Sequence, residues 1–399
     1  MKKIMVLGAG PLQLPGIMKA KEMGLYTIAV DMDPDAVGFK YSDEQLLIST
    51  IDIPKVVNEA IRLQVDGVIT LCTDLPVRTV AAVGEALNIP SISVKNAFSA
   101  TDKIAMRARL KEYDVPIPIF YNVETMEEFY DAVHSIWNCG YKCIVKPADN
   151  SGSRGVILLD GNEKSYLEAS YNYSKSNSRS GKVVVEEYME GPEVCVETLS
   201  IDGKCYPIQI TDKLTTGAPY FVEMGHNQPS LLPEDVQKDI LQVAIACNKA
   251  LGNYNGSSCT EIKVTDSGAK VVEMGARLAG DFMTTDLVPL SCGVDMLQSI
   301  IRIAIGEKPD CEKKYEKASA IRFIDAQPGI VEKITGVSEA KKVPGVIRVC
   351  IDCKPGDKVK VIQSSLDRLG YVIAQSETPK QAISICEEAK SKIQIKVKE

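Results

Sequence analysis

Short apolar strands and amphipathic helices alternate through the first hundred residues, and that alternation restricts the start of the chain to one kind of architecture. Lys3–Leu7, Thr27–Asp31, Gln45–Ile48 and Gly67–Thr70 read as strands, with helices expected over Pro15–Met23, Ile53–Arg62 and Leu75–Leu87. Such repetition implies a parallel sheet covered by helices. The first turn, Gly8-Ala9-Gly10, superficially fits a dinucleotide fingerprint, with Asp31 about 20 residues on to meet a ribose hydroxyl. But the third glycine position holds Gln13, and Pro11 follows the second glycine directly. The turn therefore reads better as a tight strand-to-helix connection than as a nicotinamide site.

From about Thr101 the texture changes. A helix over Lys103–Tyr113 leads to Pro116 and Pro118, a second is expected over Met126–Ile136, and a strand over Lys142–Val145 ends in Lys146-Pro147. A polar glycine loop, Asn150 to Gly155, precedes a helix near Glu163–Tyr173. The polar stretch Ser174–Gly181 reads as mobile. Longer strands follow at Val183–Tyr188, Glu193–Ile201, Lys204–Asp212, Thr260–Val264 and Lys270–Met274, interrupted by an amphipathic helix over Glu234–Ala250 and closed by one over Met296–Ile305. A last unit from about Ala318 has strands at Val346–Ile351 and Tyr371–Gln375 and a helix over Pro379–Ser391.

Composition narrows the function. With 46 basic and 53 acidic residues the net charge is −7, which offers no electrostatic footprint for nucleic acid or an anionic membrane. No run approaches the ~20 apolar residues of a membrane span. The start, Met1-Lys2-Lys3, lacks the apolar length and cleavage site of a signal peptide, so a cytoplasmic location is expected. The 12 cysteines are scattered and sit mostly in apolar segments, as buried reduced thiols do. Cys350 and Cys353 fall three apart in an apparent strand, which points them to opposite faces. Only His134 and His226 are histidines, which excludes a multi-histidine metal site.

Four features, in order, carry chemistry. Lys103 follows Thr101-Asp102 at a helix start, and Lys146 ends a buried-looking strand where its ammonium must face something polar or anionic. Next, Asn150-Ser151-Gly152-Ser153-Arg154-Gly155 is a loop of small residues whose backbone N–H groups can approach phosphate oxygens. Third, the strand at 183–188 exits into Glu186, Glu187, Met189 and then Gly191-Pro192-Glu193, carboxylates suited to an amino group or ribose hydroxyls. Fourth, Glu261 and Glu273 are equidistant from Ser267 in the turn Asp266-Ser267-Gly268, so they face each other across a hairpin. Like charges directly opposite are destabilising unless a cation lies between them, and oxygen ligands bridged to phosphates suit Mg²⁺.

This order of parts resembles the ATP-grasp superfamily, most of all the carboxylate–amine ligases of the L-amino-acid (dipeptide) ligase type, with kinship to biotin carboxylase and carbamoyl-phosphate synthetase. The resemblance covers nearly the whole chain. It implies an α/β and α+β protein: a Rossmann-like pre-ATP-grasp domain over 1–100, a two-lobed ATP-grasp body over 101–315 with its small lobe about 115–190, and a small C-terminal α+β domain over 316–399. It implies that Lys103, Lys146 and the loop residues Ser151, Gly152, Ser153 and Gly155 hold the nucleotide phosphates, that Glu186 and Met189 hold adenine, and that Glu193 binds the ribose. Glu261 and Glu273 become the Mg²⁺ carboxylates and Arg277 the arginine that steadies an acyl phosphate and the tetrahedral state after it. Lys213 and His226, in the substrate loop Asp212–Ser230, meet substrate. One departure is Gly275, where many members have asparagine; the dipeptide-ligase branch shares the Glu-Met-Gly-Ala-Arg form.

The implied reaction uses ATP and Mg²⁺ (or Mn²⁺) to phosphorylate a small-molecule carboxylate, after which an amine displaces phosphate to form an amide. Its rivals are a carboxyphosphate enzyme using bicarbonate and a nicotinamide oxidoreductase built on the N-terminal turn. Related folds are often dimers, so a homodimer is expected.

Overall fold

The computed structural model describes residues 1–150, 152 and 154–398. The expected parallel sheet is present, with Lys3–Leu7 at its centre, flanked by Tyr26–Asp31 and Gly67–Thr70, and Glu44–Leu47 at the edge. Its central strands are buried on both faces, as parallel strands under helices must be. The Gly8 turn is explained without a cofactor. Asp31 spends one carboxylate oxygen on the Ala9 N–H (2.7 Å) and the other on the Asp33 N–H (3.0 Å). Gln13 folds its side chain over Gly8, which has a φ of +101°, and donates to the Leu71 carbonyl at 2.7 Å. The acid that would meet a ribose thus locks the turn, and the missing third glycine is a structural brace.

A four-stranded antiparallel sheet follows, ordered Phe120–Val123, Val183–Glu187, Cys143–Pro147, Ile157–Leu159. Helices Met126–Asn138 and Lys164–Ser176 seal it through Phe129, Ile136, Leu167 and Tyr171. The stretch expected to be mobile is held instead: its helix runs on to Ser176, and the Asp149 carboxylate accepts from Ser178 Oγ and the Arg179 and Ser180 N–H groups, each at 2.8 Å.

The largest layer is an eight-stranded antiparallel sheet. Gly256–Thr265 and Gly268–Gly275 form its hairpin end, beside Glu193–Ile201 and Lys204–Thr215. Glu223–Gln228 then joins it to Ala318–Phe323, Gly370–Ser376 and Val346–Ile351. The last eighty residues therefore extend the sheet of the body. They also build a small three-stranded sheet, and helix Pro379–Lys392 covers Ala318–Phe323 and Gly370–Ser376. The expected substrate loop Asp212–Ser230 is mostly strand, since Lys204–Thr215 and Glu223–Gln228 pair antiparallel and leave only residues 216–222 between them. The strand Val346–Ile351 ends before Cys353, and all twelve cysteines are free thiols. Among the described residues no single helix is long and apolar enough to cross a membrane.

Candidate active site

A cavity of about 500 Å³ opens between the four-stranded sheet, the hairpin end of the eight-stranded sheet and the turn after Gly67–Thr70. Two groups of charged side chains meet at it, one built on a carboxylate held by two cations and one short of positive charge.

The paired group surrounds Lys146. Asp102 caps the helix Lys103–Glu112 by accepting from Ala105 N at 2.9 Å, which puts Lys103 in its first turn and Arg107 one turn further on. Lys146 Nζ donates to Glu186 Oε2 at 2.8 Å, and Arg107 Nε to Glu186 Oε1 at 2.6 Å. Arg107 also donates to the Val272 carbonyl at 2.6 Å. Glu186 is completely buried. Burial would raise its carboxyl, but Arg107 and then Lys146 outweigh that and hold it at about 2. This corrects the adenine-holding role expected for Glu186: its oxygens are taken by two cations, and the cavity wall there is formed by Glu187, Tyr188 and Met189. Lys103 donates to the Asn150 carbonyl at 2.7 Å and lies 2.9 Å from Glu273. Gly152 and Arg154 line the cavity beside Lys146, while Ser151 and Ser153 lie outside the described residues. Gly155 has a φ of +80°, and a Cβ there would fall 2.6 Å from Pro147 and Asn177, so the loop needs glycine at its end.

The second group is the hairpin. Glu261 and Glu273 are direct cross-strand partners, as expected, but by a different route. The turn pairs Thr265 with Gly268, and the register runs regularly to Ile262 opposite Val271. Uninterrupted, that register would put Glu261 opposite Val272 and send Glu273 to the other face. One extra residue, Val272, is accommodated as a bulge, which restores both carboxylates to one face. Arg107 anchors the bulged carbonyl, so the helix that carries Lys103 and the hairpin register are tied together.

Lys213 stands among three carboxylates, 2.6 Å from Glu193, 2.8 Å from Glu223 and 3.3 Å from Glu261. Lys263 adds a second contact to Glu193 at 3.2 Å. Burial would lower the Lys213 ammonium, but the three acids push it well above its usual range. Glu193 is held at about 2, because Lys213 and Lys263 overcome its burial. Glu261 goes the other way: burial raises it, Lys213 only partly opposes this, and repulsion from Glu273, Glu193 and Glu223 adds to it, leaving it at about 7. Four carboxylates thus share three lysines, an arrangement one cation short.

Beyond the hairpin, Arg277 Nη2 donates to Asp74 Oδ2 at 3.3 Å; its Nε lies 3.1 Å from Asp74 Oδ1 but makes no hydrogen bond. Both residues line the cavity. Gly275 leaves room for this pair, since a Cβ there would fall 2.8 Å from the Arg277 guanidinium and from Asp74 and would make those side chains shift. His226 is off the wall that sequence reasoning gave it. It is fully buried behind Asp281 (3.6 Å) and Glu223 (3.9 Å), and neither ring nitrogen has a hydrogen-bond partner among the described residues. Arg368 clamps Asp281 with two bonds of 2.6 and 2.7 Å and stacks its guanidinium 3.6 Å above the Phe323 ring. Asp74, Arg107, Glu223, Asp281 and Arg368 were missed by sequence reasoning. Only Arg107 left a local signal, its spacing of four from Lys103 on one helix face.

Residues 139–286, which carry Lys146, Glu193, Lys213 and both hairpin carboxylates, match the model of the ATP-grasp domain, and residues 322–398 match the L-amino acid ligase C-terminal domain 2. The chain carries an ATP-grasp domain. Alanine–anticapsin ligase of Bacillus subtilis is 28% identical to this ATP-grasp protein over 302 residues, 70% of the chain; the chain spans 62% of that relative's length. Phosphoribosylamine–glycine ligase of Methanocaldococcus jannaschii is 25% identical over 420 residues, covering 97% of the chain and 93% of the relative. Among solved structures, the L-amino acid ligase from Bacillus licheniformis superposes with a TM-score of 0.83 at 22% identity, covering 100% of this chain and 99% of that one. This ATP-grasp protein is an ATP-dependent ligase that forms C–N bonds, and it uses ATP with Mg²⁺. The donors fit both: Lys103 and Lys146 beside a small-residue loop suit phosphates, and an oxygen cluster short of one cation suits a hard divalent ion.

Proposed function

We propose that this ligase couples the carboxylate of one amino acid to the amine of a second, in the cytoplasm and as a homodimer. The observation that carries the reading is the make-up of the far cavity wall. Gln363, Ser364 and Ser365, from the segment matched to the L-amino acid ligase C-terminal domain, line the cavity, and Arg368 of the same segment fixes Asp281 in its wall. The same cavity is lined by the ion pair of Arg277 and Asp74, a cationic and an anionic group within one small-molecule volume. An amino acid presents the complementary charges.

A carboxylate resists attack by an amine because oxide is a poor leaving group. ATP with Mg²⁺ supplies the phosphoryl group that turns that oxygen into phosphate and the charge that screens the transfer. In this reading Lys103 and Lys146 brace the phosphates under the loop at 150–155, with Ser151, Gly152, Ser153 and Gly155 supplying backbone N–H groups. Met189 packs on the base, and Glu193 takes the ribose. Glu261 and Glu273 would hold Mg²⁺, with Lys213 as the neighbouring ammonium that keeps Glu193 ionised. Arg277, permanently charged, faces the carboxyl group as negative charge builds on its oxygens. His226 acts from behind, through Asp281 and Glu223, on the substrate amine. No protein nucleophile is required.

Phosphate release measured over a matrix of amino acid pairs, with mass detection of the products, tests the assignment. ADP and an amide in stoichiometric amounts support it. Turnover with bicarbonate and an amine, but with no amino acid pair, would replace it with a carboxyphosphate enzyme.

A further inference from the structure

We propose that Cys195, Glu197 and Cys259 form a binding site for a thiophilic divalent cation of the Zn²⁺ class, set in the sheet beside the Mg²⁺ carboxylates. The site follows from strand register. Glu193–Ile201 and Gly256–Thr265 are antiparallel neighbours in which Cys195 lies opposite Glu261 and Glu197 opposite Cys259. Alternate residues of a strand share a face, so both thiols and both carboxyls point the same way. One donor atom from each of Cys195, Glu197 and Cys259 lies within 4.8 Å of the other two, and all three residues are buried. Zinc bonds of about 2.3 Å to sulfur and about 2.0–2.2 Å to oxygen separate tetrahedral ligands by rather less than that, so small side-chain rotations close the shell.

A second, independent observation points to an occupant. Glu197 is fully buried, and while its Oε2 accepts from Thr211 Oγ1 at 2.8 Å, its Oε1 has no hydrogen-bond partner among the described residues. Buried carboxylate oxygens are normally satisfied. A cation bound by the two sulfurs would satisfy this one. Two thiolates, one carboxylate and a divalent ion leave a single negative charge, and Lys213 lies on the adjoining strand, among the acids beside Cys195. Binding expels the two thiol protons to solvent, together with that of Glu197, whose carboxyl burial pushes up to about 8, and changes no oxidation state. Cys259 lines the cavity, which gives the ion an entry and leaves a fourth position facing it. Because Glu261 is the cross-strand neighbour of Cys195, an ion held here competes electrostatically with Mg²⁺. The site is therefore inhibitory, a means by which soft metal would shut off a hard-metal enzyme.

Metal-free, reduced protein titrated with Co²⁺ under saturating Mg²⁺ tests this without relying on any assigned activity. One equivalent should bind with a thiolate-to-cobalt charge-transfer band in the near ultraviolet, bleached by Zn²⁺. Cys195→Ser should lose the band, whereas Cys139→Ser, at an exposed thiol, should keep it. Glu197→Gln should keep the band and weaken Zn²⁺ affinity by about tenfold or more. In nucleotide-binding assays Zn²⁺ should raise the Mg²⁺ requirement of the wild type by about tenfold and leave folded Cys195→Ser unaffected. If Cys195→Ser does not fold, loss of affinity in Glu197→Gln still decides the matter. Absence of the band, or a band and affinity unchanged in both variants, overturns the proposal.

Discussion

Glu186 and Glu261 are both strand carboxylates inside the same protein, and they are held in opposite ways. Glu186 has two cations to itself, Arg107 and Lys146, and its carboxyl sits at about 2. Glu261 has a third of one lysine, faces Glu273 across the hairpin, and sits at about 7. The first arrangement is complete and so is a structural anchor that aims Lys146. The second is incomplete, which is why the proposed function gives it a cation to hold. Charge balance, more than burial, separates the carboxyl held at about 2 from the one left at about 7.

The largest effect expected from breaking this contrast is at the anchor. Glu186→Ala leaves Arg107 almost wholly buried without its carboxylate, and removing one partner of a buried pair costs roughly 3–5 kcal/mol. Chemical denaturation should show that loss, and turnover should fall with it because Lys146 is no longer aimed. Stability within 1 kcal/mol, approximately, of wild type would mean that Glu186 is not the anchor described. At the cavity wall, Arg277→Ala should lower turnover about a hundredfold, the ~3 kcal/mol typical of one lost charge-stabilising donor, while nucleotide affinity hardly moves. A change of only a few-fold in phosphate release would take Arg277 out of the reacting site.

A smaller effect is expected from pH. With Glu261 near 7, Mg²⁺ must displace its proton below neutrality, so Mg²⁺ affinity should tighten by about tenfold between pH 6 and pH 8, as calorimetry can follow. The stability linkage has the opposite sign. A carboxyl raised from 4.5 on folding favours the fold below 4.5, and that contribution is lost as pH rises through about 7. The smallest effect separates the two hairpin acids. Glu261→Gln should leave apo stability unchanged or raised by up to ~1 kcal/mol, because it relieves repulsion. Glu273→Gln should lower it slightly, because Lys103 at 2.9 Å loses its partner and holds that carboxyl below its usual range despite burial. Thermal melts that show the same sign for both variants would erase the distinction drawn here.

Much of this site was legible because its signals are local. Alternating apolar strands announced the parallel sheet, and Asp266-Ser267-Gly268 announced the hairpin that brings Glu261 and Glu273 together. What stayed hidden was relational. Nothing near Glu186 says that Arg107, 79 residues earlier, will claim one of its oxygens. Residues 223–228 look like loop, with glycine, histidine and asparagine in succession, and become strand because they lie between Lys204–Thr215 and Ala318–Phe323. Tertiary pairing overrides weak strand propensity there.

The sequence by itself determined the order of parts and the chemical kinds available at each: two lysines, a glycine loop, a pair of acids around a turn and an arginine beyond them. Those follow from residue type and from periods of two and of three to four, which act over a few residues. Tertiary structure decided which charges are satisfied. It inserted Val272 as the bulge that turns Glu273 to the face of Glu261, set Lys213 among three acids, and brought Arg368 across 87 residues to fix Asp281. The reason is that a carboxylate's state depends on every charge within a few ångströms, and in a folded chain those neighbours come from strands far apart in sequence.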